Sequence, residues 1–410
     1  SNYIILLYNP FMFTPSKKVL EKYADVLINF ALNNGKGIKK GDVVFLHVPE
    51  SAKFLLKYLR IAVLKARGYP ITQYQPEGLI RDFFEYANDD QIKFFPAKFL
   101  RGKVDQMDQY VGIIADSDKF ELEGVDPKKI MLSGLSTKPY NEWMDEKENN
   151  QKMTWTLGLY GTSAMAKEAG MTLEEYWNQI IKGCYLDNPN PVKKWKETFN
   201  KIEVLKSKLN KLDISKLRIQ AKNTDLIIGL DKNRKWLGGS GRNIPSFELF
   251  ISPDCRRTEG TIAFTEPLFR YGNLIKEVKL EFRKGKVIKS TAEVGEKLLR
   301  EMIKTEGADM VGEFSLTDKK FSKISKFMAE TLFDENMGGK FGNTHIALGK
   351  AYKDSYSGNI SNVKKEMWKK MGYNDSSVHT DIVATSDRIV TATLTSEKEV
   401  IIYKNGEFVI

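Results

Sequence analysis

Apolar positions in the first half of the chain follow two rhythms in turn. After Ser16, the residues Val19, Leu20, Tyr23, Ala24, Leu27, Phe30 and Ala31 recur at helical spacing, and the serine stands where it can cap the first turn. A continuous apolar run over residues 43–48 reads as a buried strand, helical periodicity returns over 51–66, and a second strand follows near 71–74. This succession is a βαβ unit. Further strand patterns at 110–115 and near 155–160 predict a mostly parallel sheet covered by helices. Two helices close this half. Leu173, Tyr176, Trp177, Ile180 and Ile181 share one face, and Val192, Trp195, Phe199, Ile202, Leu205, Leu209 and Leu212 share another, with Pro189 and Pro191 between them.

After about residue 213 the rhythm changes to clustered short strands, predicted at 217–220, 226–230, 248–252 and 261–264. Val278, Leu280 and Phe282 alternate before a return strand near Val287; helices are expected over 294–303 and near 324–332. Strands around 389–394 and 400–403 end at a hairpin turn, Asn405-Gly406. The expected architecture is an α/β N-terminal domain with a mostly parallel sheet, residues 1–213, followed by an α+β C-terminal domain, residues 214–410. No internal repeat is apparent.

Composition narrows the class. Apolar residues make up 41% of the 410, which with 30 glycines is the content of a packed globular protein and excludes disorder as the main state. The two cysteines, Cys184 and Cys255, are far apart and in no metal-type or redox-type spacing, which fits a reducing cytoplasm. The apolar run at residues 3–7 has no basic flank and is broken by Asn9 and Pro10, so it reads as neither a signal peptide nor a membrane span. The chain begins at Ser1 rather than a methionine, and a native start is not assumed.

Lysines and arginines number 64 against 53 acids, a net charge of +11 that first suggests nucleic acid or an anionic membrane. Much of the surplus sits on outer helical faces. The 192–212 helix carries Lys193, Lys194, Lys196, Lys201, Lys206, Lys208 and Lys211 with no interleaved aromatics for base stacking, the pattern of a solvated surface. Neither nucleic acid nor membrane is expected as a partner.

Three histidines remain to be weighed. His47 alternates with Val43 and Phe45 on one strand and reads as structural. His379-Thr380-Asp381 puts an imidazole and a carboxylate on the same face of a strand, a spacing that suits two ligands of one metal site. His345 follows Gly338, Gly339 and Gly342, which let the backbone curl around a held side chain. Asp334 and Glu335 follow an apolar helix end, where acids are expected to be solvated. Glu248 and Glu313 are lone acids inside apolar stretches, so each either faces out or is compensated by a cation. Oxygen and imidazole donors without thiolates suit catalytic zinc, cobalt or manganese.

Ordered segments along nearly the whole chain resemble the M29 aminopeptidases, the aminopeptidase T or thermophilic aminopeptidase family. They are Thr162-Ser163-Ala164-Met165-Ala166 with Ala169-Gly170-Met171, Thr224-Asp225-Leu226, Gly241-Arg242-Asn243-Ile244-Pro245 leading to Glu248, and Glu259-Gly260-Thr261. Gly307-Ala308 leading to Gly312-Glu313, Leu332-Phe333-Asp334-Glu335-Asn336, His345-Ile346-Ala347-Leu348-Gly349 with Tyr352, and His379-Thr380-Asp381 continue the series. The resemblance implies a cytoplasmic, homodimeric metallo-aminopeptidase holding two divalent ions and acting on peptides with a free N-terminal amine. By position, Glu248, Glu313, Glu335, His345, His379 and Asp381 match the family's metal ligands and Tyr352 its active-site tyrosine. The 335–345 stretch is longer than the family's pattern, and Gly161 stands where a proline is expected.

Two-metal hydrolysis gives these residues roles. Glu313, central in ligand order, is the expected bridge, Tyr352 the expected donor to the oxyanion, and Glu248 a candidate general base as well as a ligand. Two alternatives stay open. One is a dipeptidase or other two-metal hydrolase, and the other is a basic nucleic-acid-binding protein on a peptidase fold.

Overall fold

The computed structural model describes residues 13–410; the apolar run at 3–7 lies outside the described residues. Ser16 caps helix Lys17–Val26 by accepting from the Val19 amide, as its position predicts. Strands Val43–Pro49, Tyr69–Gln75, Gln109–Ile114 and Thr154–Leu159 pair in parallel, with helix Lys53–Lys65 linking the first two. The sheet runs in the order Tyr69–Gln75, Val43–Pro49, Gln109–Ile114, Thr154–Leu159 and then Asn243–Ile244, a two-residue strand from the second half. Helices Leu173–Gly183 and Pro191–Asn210 fall where their apolar faces predict. The protein is an α/β unit with a parallel sheet followed by an α+β unit.

From Ile214 onward two large antiparallel sheets carry the chain, with a small two-stranded one, Leu268–Arg270 with Asn273–Ile275, beside them. Eight strands form one sheet, with Ile214–Ala221 beside Thr224–Gly229 and Arg388–Leu394 near its middle. The other has five strands in the order His379–Ala384, Asn343–Gly349, Val311–Thr317, Glu248–Ile251 and Leu237–Gly238. Both sheets contribute to one core, in which Ile219, Leu226 and Val390 from the first meet Phe314, Ile346 and Ile382 from the second.

The cores exchange segments. Phe84, Ile92, Ile130 and Met131, from the first half of the chain, pack into the core between the antiparallel sheets. Ile324, Met328, Phe333 and Met337, from the second half, pack into the core of the parallel sheet with Tyr176 and Trp177. The Tyr176 hydroxyl donates to the Met328 carbonyl at 2.8 Å.

Two expectations are corrected here. No helix forms near 324–332; the chain runs irregularly to a single turn, Thr331–Asp334, because the Asp334 carboxylate accepts the Met328 amide at 2.6 Å and the Glu330 amide at 2.9 Å, which fixes a loop in place of helical hydrogen bonds. Asp334 and Glu335, expected in solvent, are 4% and 5% exposed, because this segment crosses into the other core. Hydrophobic rhythm also gave no reading of the helices Leu79–Tyr86, Asp89–Lys93, Ala97–Gln106 and the long Pro127–Asn149.

Candidate metal centre

The five-stranded sheet separates its two faces sharply. Opposed residues in an antiparallel ladder share a face, and the register places Ala347 opposite both Glu313 and Asp381, Ser315 opposite His345, Gly349 opposite His379 and Thr317 opposite Glu248. Glu248, Glu313, His345, His379 and Asp381 therefore all project from one face. Leu249, Ile251, Phe314, Leu316, Ile346, Leu348 and Ile382 point the other way, into the core.

One irregularity makes this possible. Val311 and Glu313, two residues apart, would share a face in an unbroken strand. The register shifts between them, at Gly312, so Val311 enters the core while Glu313 faces the site. A Cβ on Gly312 would run into the carbonyl oxygens of Gly349 and Lys350. The absence of a side chain there lets Lys350 approach, and the Lys350 carbonyl accepts a hydrogen bond from His379 Nδ1 at 2.8 Å. This contact leaves His379 Nε2 as the basic nitrogen, turned toward carboxylates.

Distances define two overlapping nests. His345 Nε2 lies 3.2 Å from Glu248 Oε2, 3.2 Å from Glu313 Oε1 and 3.9 Å from Asp381 Oδ1. His379 Nε2 lies 3.7 Å from Glu313 Oε2 and 3.5 Å from Asp381 Oδ1. Glu313 thus turns one oxygen to each imidazole. Donor atoms of Glu248, Glu313 and His345, of Glu313, His379 and Asp381, and of Glu335, His345 and Asp381 each fall within 4.8 Å of one another. All six residues expected as ligands are brought together.

Glu335 arrives from outside the sheet, at the end of the turn Thr331–Asp334. Asn243 Nδ2 donates to its Oε1 at 2.9 Å, and its backbone carbonyl accepts from Thr317 Oγ1 at 3.1 Å. Ser315 Oγ donates to Glu248 Oε2 at 2.9 Å. Tyr352 stands over the same face, its ring 5.1 Å from the His379 imidazole and 5.7 Å from Phe250. His47 is elsewhere, bonded to Tyr110 and Gln75 in the parallel sheet.

The electrostatics call for cations. Four carboxylates converge on two imidazoles, so even with both rings protonated negative charge remains in excess, and burying it uncompensated is costly. Burial, followed by the charges of Glu248, Asp381 and Glu313, pushes the Glu335 carboxyl well above its ordinary value. Burial also raises Glu248, to about 7, against the pull of His345. Burial resists charge on Asp381, yet His379, His345 and Arg270 together outweigh that cost and hold it well below the carboxylate range. His345 is raised to about 9, the opposing effect of burial being overcome by Glu313, Glu248 and Asp381. A mixed set of carboxylate and imidazole donors with surplus negative charge fits divalent metal ions.

The site opens into a cavity of about 1580 Å³ whose lining includes residues of the ligand face and of helix Pro127–Asn149. Residues around the ligands that sequence reasoning assigned no role include Asn243, Ser315, Arg242 and Arg270. Arg242 and Asn243 stand in the Gly241–Pro245 run that carried the family resemblance, which was their only signal. Arg242 pairs with Glu148 at 2.9 Å and with Asp354, and its guanidinium lies 5.5 Å from the Tyr352 ring centre.

A family model described as thermophilic metalloprotease (M29) matches residues 16–408. The chain belongs to the M29 family. It is 28% identical to aminopeptidase PepS of Streptococcus thermophilus, with 96% of this chain and 98% of that protein covered. Aminopeptidase T of Thermus thermophilus is also 28% identical, over 91% of this chain and 94% of that one. The solved structure of wild-type AmpT from Thermus thermophilus superposes with a TM-score of 0.81 at 24% identity, covering 96% of this chain and all of that one, and shares the fold. As an M29 protein the chain is a metal-dependent peptide hydrolase.

Proposed function

We propose that this M29 protein is an aminopeptidase that hydrolyses the N-terminal peptide bond of short peptides, using two divalent ions and a water. The observation that carries this reading is Glu313, with Oε1 turned to His345 and Oε2 to His379, as a carboxylate shared by two ions requires. Its named relatives are aminopeptidases. Glu248, Glu313, Glu335, His345, His379 and Asp381 would hold the metals, with zinc, cobalt and manganese all suited to the donor set. When bound, such a pair supplies a water of near-neutral pKa and polarises the scissile carbonyl.

The remaining roles belong to the chain. Glu248 is the candidate to accept a proton from the attacking water and pass it to the leaving amine. Burial, reinforced by Glu313, keeps the Tyr352 hydroxyl protonated well above its ordinary range, so it serves as a donor to the oxyanion of the tetrahedral intermediate. Lys350 fixes the tautomer of His379 through its carbonyl. The substrates are peptides with a free amine, the compartment is the cytoplasm, and the assembly is a homodimer. Edge strand Tyr69–Gln75, with Tyr69, Ile71 and Tyr74 exposed, supports association between copies.

The test uses protein stripped with chelator, reloaded with Zn²⁺, Co²⁺ or Mn²⁺, and offered an aminoacyl anilide and a dipeptide. Release is expected only after reloading and only when the substrate's amine is free. Activity that survives chelation, or that an N-acetylated substrate retains, would overturn the proposal.

A further inference from the structure

Three arginines line the cavity, and they differ in how their charge is met. Arg242 is held between Glu148 and Asp354, and Arg256 pairs with Asp254 at 2.7 Å. Arg270 has no carboxylate within ion-pairing distance among the described residues. Its Nη2 donates to the His379 carbonyl at 2.7 Å, and its Nε is buried without a hydrogen-bond partner. Of the six lysines in the lining, Lys138, Lys286, Lys350 and Lys365 pair with acids, Lys353 lies 5.8 Å from the centre of the Trp368 ring, and neither Lys353 nor Lys369 has an acid within ion-pairing distance among the described residues. An unpaired guanidinium thus stands beside the metal ligands, with donor capacity that the protein leaves unused.

We infer that Arg270 binds the C-terminal carboxylate of the substrate, so that the enzyme favours dipeptides with a free C-terminus. The inference rests on the aminopeptidase reading above and deepens it. Two observations carry it. The guanidinium lines the cavity and is anchored to the backbone of His379, one of the candidate ligands, which sets it beside the reacting centre. In a dipeptide the carboxylate follows the scissile unit by a single residue, ~3.8 Å between Cα atoms, whereas each further residue of a longer peptide adds about as much again. A planar guanidinium also matches a carboxylate in both charge and geometry; with Nε buried, the contact would fall to the Nη groups.

The metal-loaded enzyme is compared on alanyl-alanine and alanyl-alaninamide, as wild type, Arg270→Gln and Arg270→Lys. Wild type is expected to favour the free acid by about tenfold or more in kcat/KM, mainly through KM. That preference should fall to within about threefold of unity in Arg270→Gln, with Arg270→Lys intermediate. A wild type that takes the amide equally well overturns the inference. So does an Arg270→Gln variant that slows both substrates alike and keeps the ratio, since that pattern assigns the guanidinium to the oxyanion. A second readout is calorimetric binding of the same two compounds to metal-stripped protein, with Arg270→Lys as the check that the charge and not the fold is responsible. Preference for the acid that is lost in Arg270→Gln supports the inference, and equal binding of acid and amide by wild type sinks it. Absence of metal-dependent hydrolysis of either compound counts against the aminopeptidase reading, while the calorimetry still decides the role of Arg270.

Discussion

Ala347 shows how finely the centre depends on single side chains. It stands opposite Glu313 on one flank and Asp381 on the other, fully buried, so its methyl group forms the floor between two carboxylates. Opposed Cβ atoms lie only about 4.5 to 5.5 Å apart in an antiparallel ladder, and a longer side chain there would occupy the space the ions need. Ala347→Leu is expected to weaken Zn²⁺ binding by about tenfold or more, within the range found when the surroundings of metal ligands are altered. Titration calorimetry of the metal-stripped variant checks this, with far-UV circular dichroism expected to stay unchanged; affinity within twofold of wild type would refute it. At this scale the sequence was legible in part. Glu248 and Glu313 could be recognised as acids in apolar strands, and the His379 and Asp381 pair follows from period-2 geometry. The bulge at Gly312 could not be read, because it depends on which carbonyls approach from the neighbouring strand. Nor could the partnership of Asn243 with Glu335 be seen, 92 positions apart in the chain.

Helix Pro127–Asn149 illustrates the limit of hydrophobic rhythm at the level of elements. Over 23 residues it buries only Ile130 and Met131, so it carries no apolar stripe to announce it. Tyr140, Trp143 and Met144 pack, partly buried, against Phe45, Val104, Met107 and Met153, and another side of the helix is ionic. Lys138, Glu142, Asp145 and Glu148, spaced by four, three and three residues, fall on one side of the helix and pair with Asp375, Lys365, Lys350 and Arg242. These contacts are unequal. Glu142 and Lys365 are 43% and 76% exposed, whereas Glu148 and Arg242 are each 18% exposed. Glu142→Gln is therefore expected to change stability by less than about 0.5 kcal/mol. Glu148→Gln, which leaves a half-buried guanidinium with one carboxylate fewer, should cost about 1 to 3 kcal/mol. Urea unfolding of both variants tests the contrast, and equal losses would remove the distinction. The elements that sequence rhythm did predict, such as Lys17–Val26 and Leu173–Gly183, are those that dock through apolar faces. The misread stretch near 324–332 is apolar because it fills another element's core, not because it winds into a helix.

For the molecule as a whole, the exchange of segments between the two cores matters more than any boundary in the chain. A fragment of residues 214–410 would lack Phe84, Ile130, Met131, Ile202 and Leu209, all part of the core between its sheets. We expect the full chain to unfold in urea as one cooperative transition and the isolated fragment to show none; a sharp transition in the fragment would contradict this. The same exchange bears on synthesis. Tyr176 and Trp177 leave the ribosome well before Met328 and Phe333, the residues that cover them. At common elongation rates of about 5 to 20 residues per second, the nascent first half waits roughly 10 s or more with that surface open. How long that surface stays open is therefore set by residues that have not yet been translated.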